Sequence, residues 1–246
     1  MKILIINTNE NKGGAAKSAK RLYDSLLSFN FDVTYFVDIK NTNDFKIISP
    51  KTIKDKIFRV LRYQLDQLSV RKYKKRSNHL FSPSNTYFTN NILKTINSIN
   101  PDIIHLHWVN NGMLNITDLL NLNKPIVWTI HDSWLFTGGC HLPFNCQKFM
   151  KQCNSCEALG SNKIKDLSYK IFKIKKNVFK KLLINVVAPS HWLSANAKRS
   201  ELLKSHSIKV IPNPINTNLY SPIEKKIARN LLGLPLDKTI ILFGAS

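Results

Sequence analysis

The chain has 246 residues, of which 43% are hydrophobic, which supports a sizeable core and excludes a disordered chain. Its 37 Lys and Arg stand against 15 Asp and Glu, so the net charge of +22 either meets an anionic partner or promotes solubility. No apolar run reaches the roughly 18 residues that a bilayer-crossing helix needs. The apolar start is too short for a signal peptide, and a cytoplasmic protein is expected.

Short apolar runs followed by polar residues predict buried strands along the chain. The first run, residues 3–6, is followed by Gly13-Gly14 and a helical pattern, as at the opening of a doubly wound α/β sheet. Further strands are predicted at 33–37, 102–106, 126–130, 185–188, 208–211 and 239–243. The sequence therefore predicts a Rossmann-like, doubly wound and mostly parallel sheet.

Two Lys- and Arg-rich segments, 46–76 and 163–181, carry apolar residues at helical spacing. Each is predicted to be a surface helix with an apolar face in the core and a basic face outside. The apolar face of the first consists of Ile53, Ile57, Val60, Leu61, Leu65 and Leu68. That of the second consists of Leu167, Ile171, Ile174, Val178 and Leu182. The basic faces either attract anionic lipid or are simply solvated.

Prolines around Pro212-Asn213-Pro214 mark a domain boundary, because prolines at this density interrupt helices. We expect a first domain at 1–211, a linker at 212–237 and, at 238–246, the first strand of a second α/β domain. Since one strand cannot form a domain, the sequence is expected to be cut short there.

Three groups of residues follow predicted strands, and ligands of open parallel sheets bind at the carboxyl ends of strands. Gly13-Gly14 precedes a helix whose first N–H groups attract phosphate, although an ordinary strand–helix turn has the same pattern. His105 and His107 share one strand face, either as a ligand pair or as hydrogen-bonded structural histidines. His131 and Asp132 indicate a ligand-facing loop, with a structural His and a capping Asp as the alternative.

All four cysteines lie in the loop 138–160, as Cys140-x5-Cys146-x6-Cys153-x2-Cys156. Disulfides are disfavoured in the cytoplasm and a Cys-x2-Cys pair suggests a metal, so a structural zinc held by four thiolates is predicted. Free thiols or two disulfides are the alternatives. His141 is an awkward substitute ligand because it neighbours Cys140.

Six motifs, in this order, resemble those of bacterial glycosyltransferases of family 4, in particular the colanic-acid and capsule type that carries a cysteine-rich loop. They are Gly13-Gly14-Ala15-Ala16 and residues 102–108, 128–134, 136–141, 188–193 and 210–215. The resemblance covers almost the whole chain. It implies the GT-B architecture, in which two Rossmann-like domains face each other across a cleft, and this chain corresponds to the amino-terminal domain.

The resemblance also implies transfer of a hexose from a nucleotide diphosphate sugar, with retention of anomeric configuration and without a catalytic cofactor. Gly13 and Gly14 would then lie against the donor diphosphate. His131 would act beside the transferring sugar, where it would position a hydroxyl and stabilise charge in the transition state. Further candidates for donor or acceptor binding are Ala15, His107, Asp132, Ser190 and Asn213.

The sequence departs from the family pattern at Glu157, where Pro is usual, and at Ser133, where Met is commoner. The paired glutamates and the diphosphate-binding basic residue of the second domain have no counterpart before Ser246. The chain alone is therefore expected not to transfer sugar. In this type of pathway the acceptor is a saccharide, often lipid-linked, which favours a peripheral position on the inner face of the cell membrane.

Two other classes of function remain open. The charge and the four cysteines also fit a zinc-stabilised nucleic-acid-binding module. Against it, the aromatic residues are not interleaved with the Lys and Arg runs as a base-stacking surface requires, so no nucleic-acid partner is expected. The other alternative is a non-catalytic scaffolding fragment that keeps the acceptor pocket.

Overall fold

The computed structural model describes residues 1–77, 80–83 and 90–243. The chain divides into two units, Met1–Pro214 and Ile215–Ser246, and this division falls inside the predicted proline-rich boundary. The first unit is built on a sheet of seven parallel strands. These are β1 (Lys2–Asn9), β2 (Asp32–Ile39), β3 (Ile47–Ile48), β4 (Ile103–Leu106), β5 (Ile126–Thr129), β6 (Ile184–Ala188) and β7 (Ser207–Val210).

Helices lie on both faces of this sheet. They are α1 (Gly14–Ser28), α2 (Ile53–Arg71), α3 (Asn90–Ile99), α4 (Leu167–Phe179) and α5 (His191–Arg199). Helix α1 buries Ala19 and Tyr23 against one face, and α3 buries Ile92 and Ile96 against the other. The predicted doubly wound, parallel sheet is therefore confirmed.

The strand order is β3-β2-β1-β4-β5-β6-β7, so the chain winds outward in both directions from β1. The order reverses between β1 and β4, and a crevice forms there because the connections leave the two strands in opposite directions. Leu4, Ile5 and Ile6 of β1 are fully enclosed, since this strand lies in the interior of the sheet. The crevice therefore lies beside a fully buried strand.

Six of the seven predicted strands are present with small changes in their bounds. Strand β3 was missed because it has only two residues, which pair with Tyr35 and Phe36 at the edge of the sheet. Residues 239–243 carry no regular secondary structure, so the strand predicted there is not formed, and 244–246 lie outside the described residues. A strand needs a paired neighbour to satisfy its backbone groups, and none of the described strands pairs with this segment.

The second unit contains one described helix, α6 (Lys225–Leu231), which Glu224 caps through the N–H groups of Lys226 and Ile227. None of its residues is buried. The division into a linker at 212–237 and a second domain from 238 stays a prediction.

Helix α2 packs the opposite way round to the prediction. The side that meets the rest of the unit carries Arg62, Asp66 and Val70. Arg62 Nη2 lies 2.8 Å from Asp38 Oδ1 at the end of β2, and both side chains are buried. Gly112 approaches so closely that a Cβ on it would lie 2.9 Å from the Arg62 backbone. Five of the six residues predicted to face the core are exposed instead: Ile53, Ile57, Val60, Leu61 and Leu68.

Helix α4 packs as predicted. Its apolar residues are buried or packed against the core: Leu167, Ile171, Ile174, Val178 and Leu182. The sequence did not predict that Lys175 is fully buried on the same side. Its Nζ donates to the carbonyl oxygens of Trp134 and Thr137 and lies 3.6 Å from the centre of the Trp134 ring.

Candidate functional site at the strand crevice

A pocket of about 390 Å³ lies in the crevice where β1, β4 and β5 end. This is the size of a small-molecule site, and the crevice is where open parallel sheets bind ligands. The pocket is lined by Asn7, Asn9, Lys12, Gly13, Gly14, Ala15, Ala16, Leu80, Trp108, His131 and Asp132. Five candidates from the sequence thus meet at one place: Gly13, Gly14, Ala15, His131 and Asp132.

Two larger pockets lie away from these candidates. One of about 470 Å³ lies between α2, α3 and the end of β3, and another of about 630 Å³ lies beside the loop that follows α2. Neither is lined by a residue that the sequence singles out for chemistry. We therefore place the candidate site in the crevice, where the strand ends bring polar side chains and a glycine turn together.

The glycine turn forms one wall of the pocket. Gly13 is the N-cap of α1 with φ of +88°, a backbone conformation that residues with a side chain rarely adopt. No side chain caps α1 and its first turn has no acidic residue, so the first N–H groups remain available to an anion. A Cβ built on Gly14 would meet no atom within 4 Å. The protein thus leaves open space directly beside this backbone.

Three histidine rings lie in a row that begins at the pocket with His131 and continues through His107 to His105. The rings of His105, in β4, and His107, just after it, stack at 4.6 Å between centroids, as their alternation predicts. The rings of His107 and His131 stack at 5.2 Å. His107 Nδ1 lies 2.9 Å from His131 Nε2, and His105 Nε2 lies 2.8 Å from Thr129 Oγ1. His107 is 3% exposed and lines no part of the pocket itself. His107 therefore contacts His131 without reaching the pocket, and it supports the position of that ring.

These three rings are neutral at pH 7. Burial lowers the pKa of His105 to about 4, with a further contribution from His131. Burial also lowers the pKa of His131 to about 4, although the charge of Asp132 opposes it. The pKa of His107 is also lowered well below the usual value for histidine, by burial and by the two neighbouring rings.

Asp132 is held ionised at the rim of the pocket. Burial raises its pKa, but hydrogen bonds from His141, the Trp134 backbone and Trp108 outweigh this and lower the pKa overall. His141 Nδ1 lies 2.6 Å from Asp132 Oδ2, and His141 Nε2 lies 2.9 Å from Ser82 Oγ. The sequence analysis missed the support from Ser82, because 50 or more positions separate Ser82 from its partners in the chain, and it considered His141 only as a substitute metal ligand. Asp132 therefore offers a fixed, negatively charged hydrogen-bond acceptor.

Ser190 and Asn213 do not line the pocket. Ser190 caps α5, and its Oγ accepts from the Leu193 backbone N–H at 3.2 Å. Asn213 Oδ1 accepts from Ser18 Oγ of α1 at 2.8 Å. Their roles in donor or acceptor binding stay predictions.

The four cysteines are free thiols. Cys140, Cys146 and Cys156 line a separate pocket of about 250 Å³, and Cys153 Sγ accepts from the Gly138 N–H at 3.2 Å. Burial raises the pKa of Cys140 to about 12 and raises that of Cys153 and Cys156 as well, so these thiols stay protonated.

A zinc ion needs a gathered set of deprotonated ligands. Within residues 1–77, 80–83 and 90–243, no three His, Cys, Asp or Glu side chains gather closely enough to hold a metal ion. The side chains as placed therefore do not fit the tetrathiolate zinc site, which remains a prediction from the cysteine spacing.

A doubly wound parallel sheet with a glycine turn and polar side chains at its crevice defines an α/β protein of the Rossmann-like class. The family model Glycosyltransferase Family 4 matches residues 12–219, and the chain belongs to this family. This membership favours a glycosyltransferase over the nucleic-acid-binding module considered above.

Among curated proteins, the chain is similar to the putative colanic acid biosynthesis glycosyl transferase WcaC of Escherichia coli (strain K12). They are 27% identical over 107 residues, which cover 38% of this chain and 26% of WcaC. Among solved structures, it is similar to Anabaena Alr3699/HepE in complex with UDP-glucose, at 16% identity and a TM-score of 0.46. The same protein in complex with UDP gives 14% identity and a TM-score of 0.48. Both alignments cover 95% of this chain, which spans 50% of the HepE chain.

Proposed function

We propose that this chain is the acceptor-side domain of a retaining glycosyltransferase. The enzyme would move a sugar from a nucleotide diphosphate sugar to a saccharide acceptor in the synthesis of a surface polysaccharide. The observation that carries the proposal is the pocket in which the glycine turn, His131 and Asp132 meet at the strand crevice. Family membership supports sugar transfer, and the description of WcaC supports a polysaccharide product.

The glycine turn supplies the contact for the donor diphosphate. The uncapped N–H groups of α1 and the positive end of the helix dipole attract phosphate oxygens, and Lys12 adds a cation to the same wall. The missing Cβ of Gly14 lets a diphosphate approach the backbone closely.

His131 and Asp132 make different contacts with the sugars, because His131 is neutral and Asp132 is ionised. A neutral His131 positions a sugar hydroxyl and stabilises developing charge through its dipole rather than as a cation. The ionised Asp132 accepts a hydrogen bond from an acceptor hydroxyl and orients it. His141 holds the Asp132 carboxylate in place, which limits the motion of that acceptor group.

Gly14→Ala tests this arrangement. The added methyl group fills space that the protein leaves open, so we expect binding of nucleotide diphosphate sugars to weaken at least about tenfold, roughly 1.4 kcal/mol. The free energy of unfolding should change by less than about 1 kcal/mol, because φ at Gly14 is compatible with alanine. Calorimetric titration with a panel of uridine and guanosine diphosphate sugars, and with pyrophosphate alone, measures the loss.

Ser28→Ala, at the opposite end of α1, is the matched control and should bind like the parent chain. Equal affinities of the parent chain and Gly14→Ala would contradict the proposed position of the diphosphate. Absence of binding to every nucleotide diphosphate sugar by the parent chain would contradict the proposed function.

We further propose that the acceptor is lipid-linked and that the exposed face of α2 rests on an anionic membrane. Within the described residues no helix is long and apolar enough to cross a bilayer, so contact would be at the surface. The outward stripe of Ile53, Ile57, Val60, Leu61 and Leu68 is 45–77% exposed. Lys54, Lys56, Arg71 and Lys72 flank it on the helix surface. Apolar residues flanked by cations match a bilayer interface with anionic headgroups.

The stripe can be tested by replacing Ile57, Leu61 and Leu68 with serine. We expect at least about a tenfold weaker partition into vesicles of phosphatidylcholine with phosphatidylglycerol, roughly 1.4 kcal/mol. Flotation of the protein with vesicles measures it, and the parent chain should bind less at high salt because salt screens the cations.

Leu183→Ser provides the control, since Leu183 is 80% exposed but lies outside α2. Equal binding to vesicles of phosphatidylcholine alone would contradict the proposal. So would a triple variant that binds vesicles normally but loses self-association, because the stripe would then be an interface between copies of the chain.

A further inference from the structure

The histidine row contains one ring nitrogen without a partner. His107 Nε2 is buried and has no hydrogen-bond partner among the residues that the structure describes. The other ring nitrogen, Nδ1, lies 2.9 Å from His131 Nε2. One of these two nitrogens of the neutral ring must carry the proton.

The unpaired nitrogen decides between the two tautomers. A proton on His107 Nε2 would be a buried N–H donor without an acceptor, which is the costlier and rarer kind of unsatisfied group. A proton on Nδ1 is instead donated to His131 and leaves only an acceptor lone pair unpaired on Nε2. The second arrangement makes the same hydrogen bond without burying an orphaned donor, and it is therefore favoured.

The tautomer of His107 determines the tautomer of His131. If His107 donates from Nδ1, His131 Nε2 must accept, and the neutral His131 ring then carries its own proton on Nδ1. His131 Nδ1 is not among the buried unpartnered atoms, and His131 lines the pocket. The proton of His131 is thus available to a ligand.

We propose that His107 is a positioning residue that fixes the proton of neutral His131 on Nδ1, so that His131 meets the pocket as a hydrogen-bond donor. Its acceptor would be a sugar hydroxyl or a diphosphate oxygen, and only this identification rests on the proposed function. The tautomer itself follows from the histidine row.

Other charged or titratable groups beside His131 do not alter this assignment. Asp132 favours an imidazolium on His131, but burial outweighs it. The Asp132 carboxylate is already engaged by His141, Trp134 and Trp108. His105 lies beyond His107 and is paired with Thr129. Lys12 also lines the pocket.

Two-bond nitrogen–proton NMR spectra of the whole chain labelled with ¹⁵N-histidine test the proposal at pH 7. We expect His107 and His131 each to show a protonated Nδ1 and an unprotonated Nε2. The exposed His191 should show averaged nitrogens and provides the internal reference. The variant His131→Gln assigns the resonances. A protonated Nε2 on either ring, or an imidazolium on His131, would overturn the proposal.

A variant adds a second readout. His107→Phe keeps a flat ring but has no Nδ1, so the His131 nitrogens should become averaged like those of His191. His105→Phe removes a ring that does not bond His131, and it should leave the His131 tautomer unchanged; a fixed Nδ1 proton in His107→Phe would overturn the role of His107. Because these readouts need no ligand, a chain with the expected tautomers but no affinity for nucleotide sugars would disprove only the proposed function.

Discussion

Lys175→Ala is expected to lower the free energy of unfolding by about 3–5 kcal/mol, since it removes a fully buried, well-packed side chain together with its hydrogen-bond donor. The alanine leaves a cavity in place of the four-carbon stem. It also leaves the carbonyl oxygens of Trp134 and Thr137 without this donor. Urea denaturation followed by tryptophan fluorescence measures the loss.

Lys173→Ala is the matched control, because Lys173 is exposed on the same helix. It should change the free energy of unfolding by less than about 0.5 kcal/mol. Lys175→Met restores most of the volume without the donor and should fall between the two. If Lys175→Ala were as stable as Lys173→Ala, the buried position of this side chain would be wrong.

The loss of stability in Lys175→Ala should also affect the candidate functional site. Lys175 binds the turn from Trp134 to Thr137, and the Trp134 backbone N–H donates to Asp132 Oδ1 at 2.8 Å.

Burial lowers the pKa of Lys175 to about 7. Its contribution to stability is therefore present above its unfolded pKa and is lost as the pH falls towards 7.

Acidification from pH 6.5 to pH 4 is expected to lower the free energy of unfolding by at least about 3 kcal/mol. The folded pKa values of His105 and His131 are about 4, below the ordinary histidine value of 6.5. In this window the unfolded chain binds more protons than the folded chain, so stability falls as the pH falls.

Urea denaturation at a series of pH values measures this slope. His131→Gln should flatten it, whereas His191→Gln should not, because His191 is exposed. Asp132 acts at lower pH, since its folded pKa is lowered and its contribution is lost only below its unfolded value. A stability independent of pH between 6.5 and 4 would contradict the buried histidine row.

Much of the site could be predicted because its residues follow strands. The end of a strand such as β5 is visible in the sequence as the end of an apolar run, and His131 and Asp132 come directly after it. Parallel strands deliver such residues to one edge of the sheet, next to the glycine turn after β1. Alternation from β4 into the residue that follows it likewise predicted that His105 and His107 share a face.

The orientation of α2 could not be predicted in this way. Periodicity shows that a helix has an apolar stripe, but it does not show which side packs. Here the buried ion pair of Arg62 with Asp38 and the close approach of Gly112 turn the apolar stripe outward. These partners are far apart in the chain, so no local pattern joins them.

The sequence alone determined the parallel α/β class, the glycine turn and the strand ends that carry His131 and Asp132. Each of these features depends on a short pattern of neighbouring residues. Only the tertiary structure decided which way α2 faces, that Lys175 is buried, and that His107 and His141 support the two pocket residues. Those features depend on side chains that meet across many intervening residues, and their energies come from burial and pairing in three dimensions.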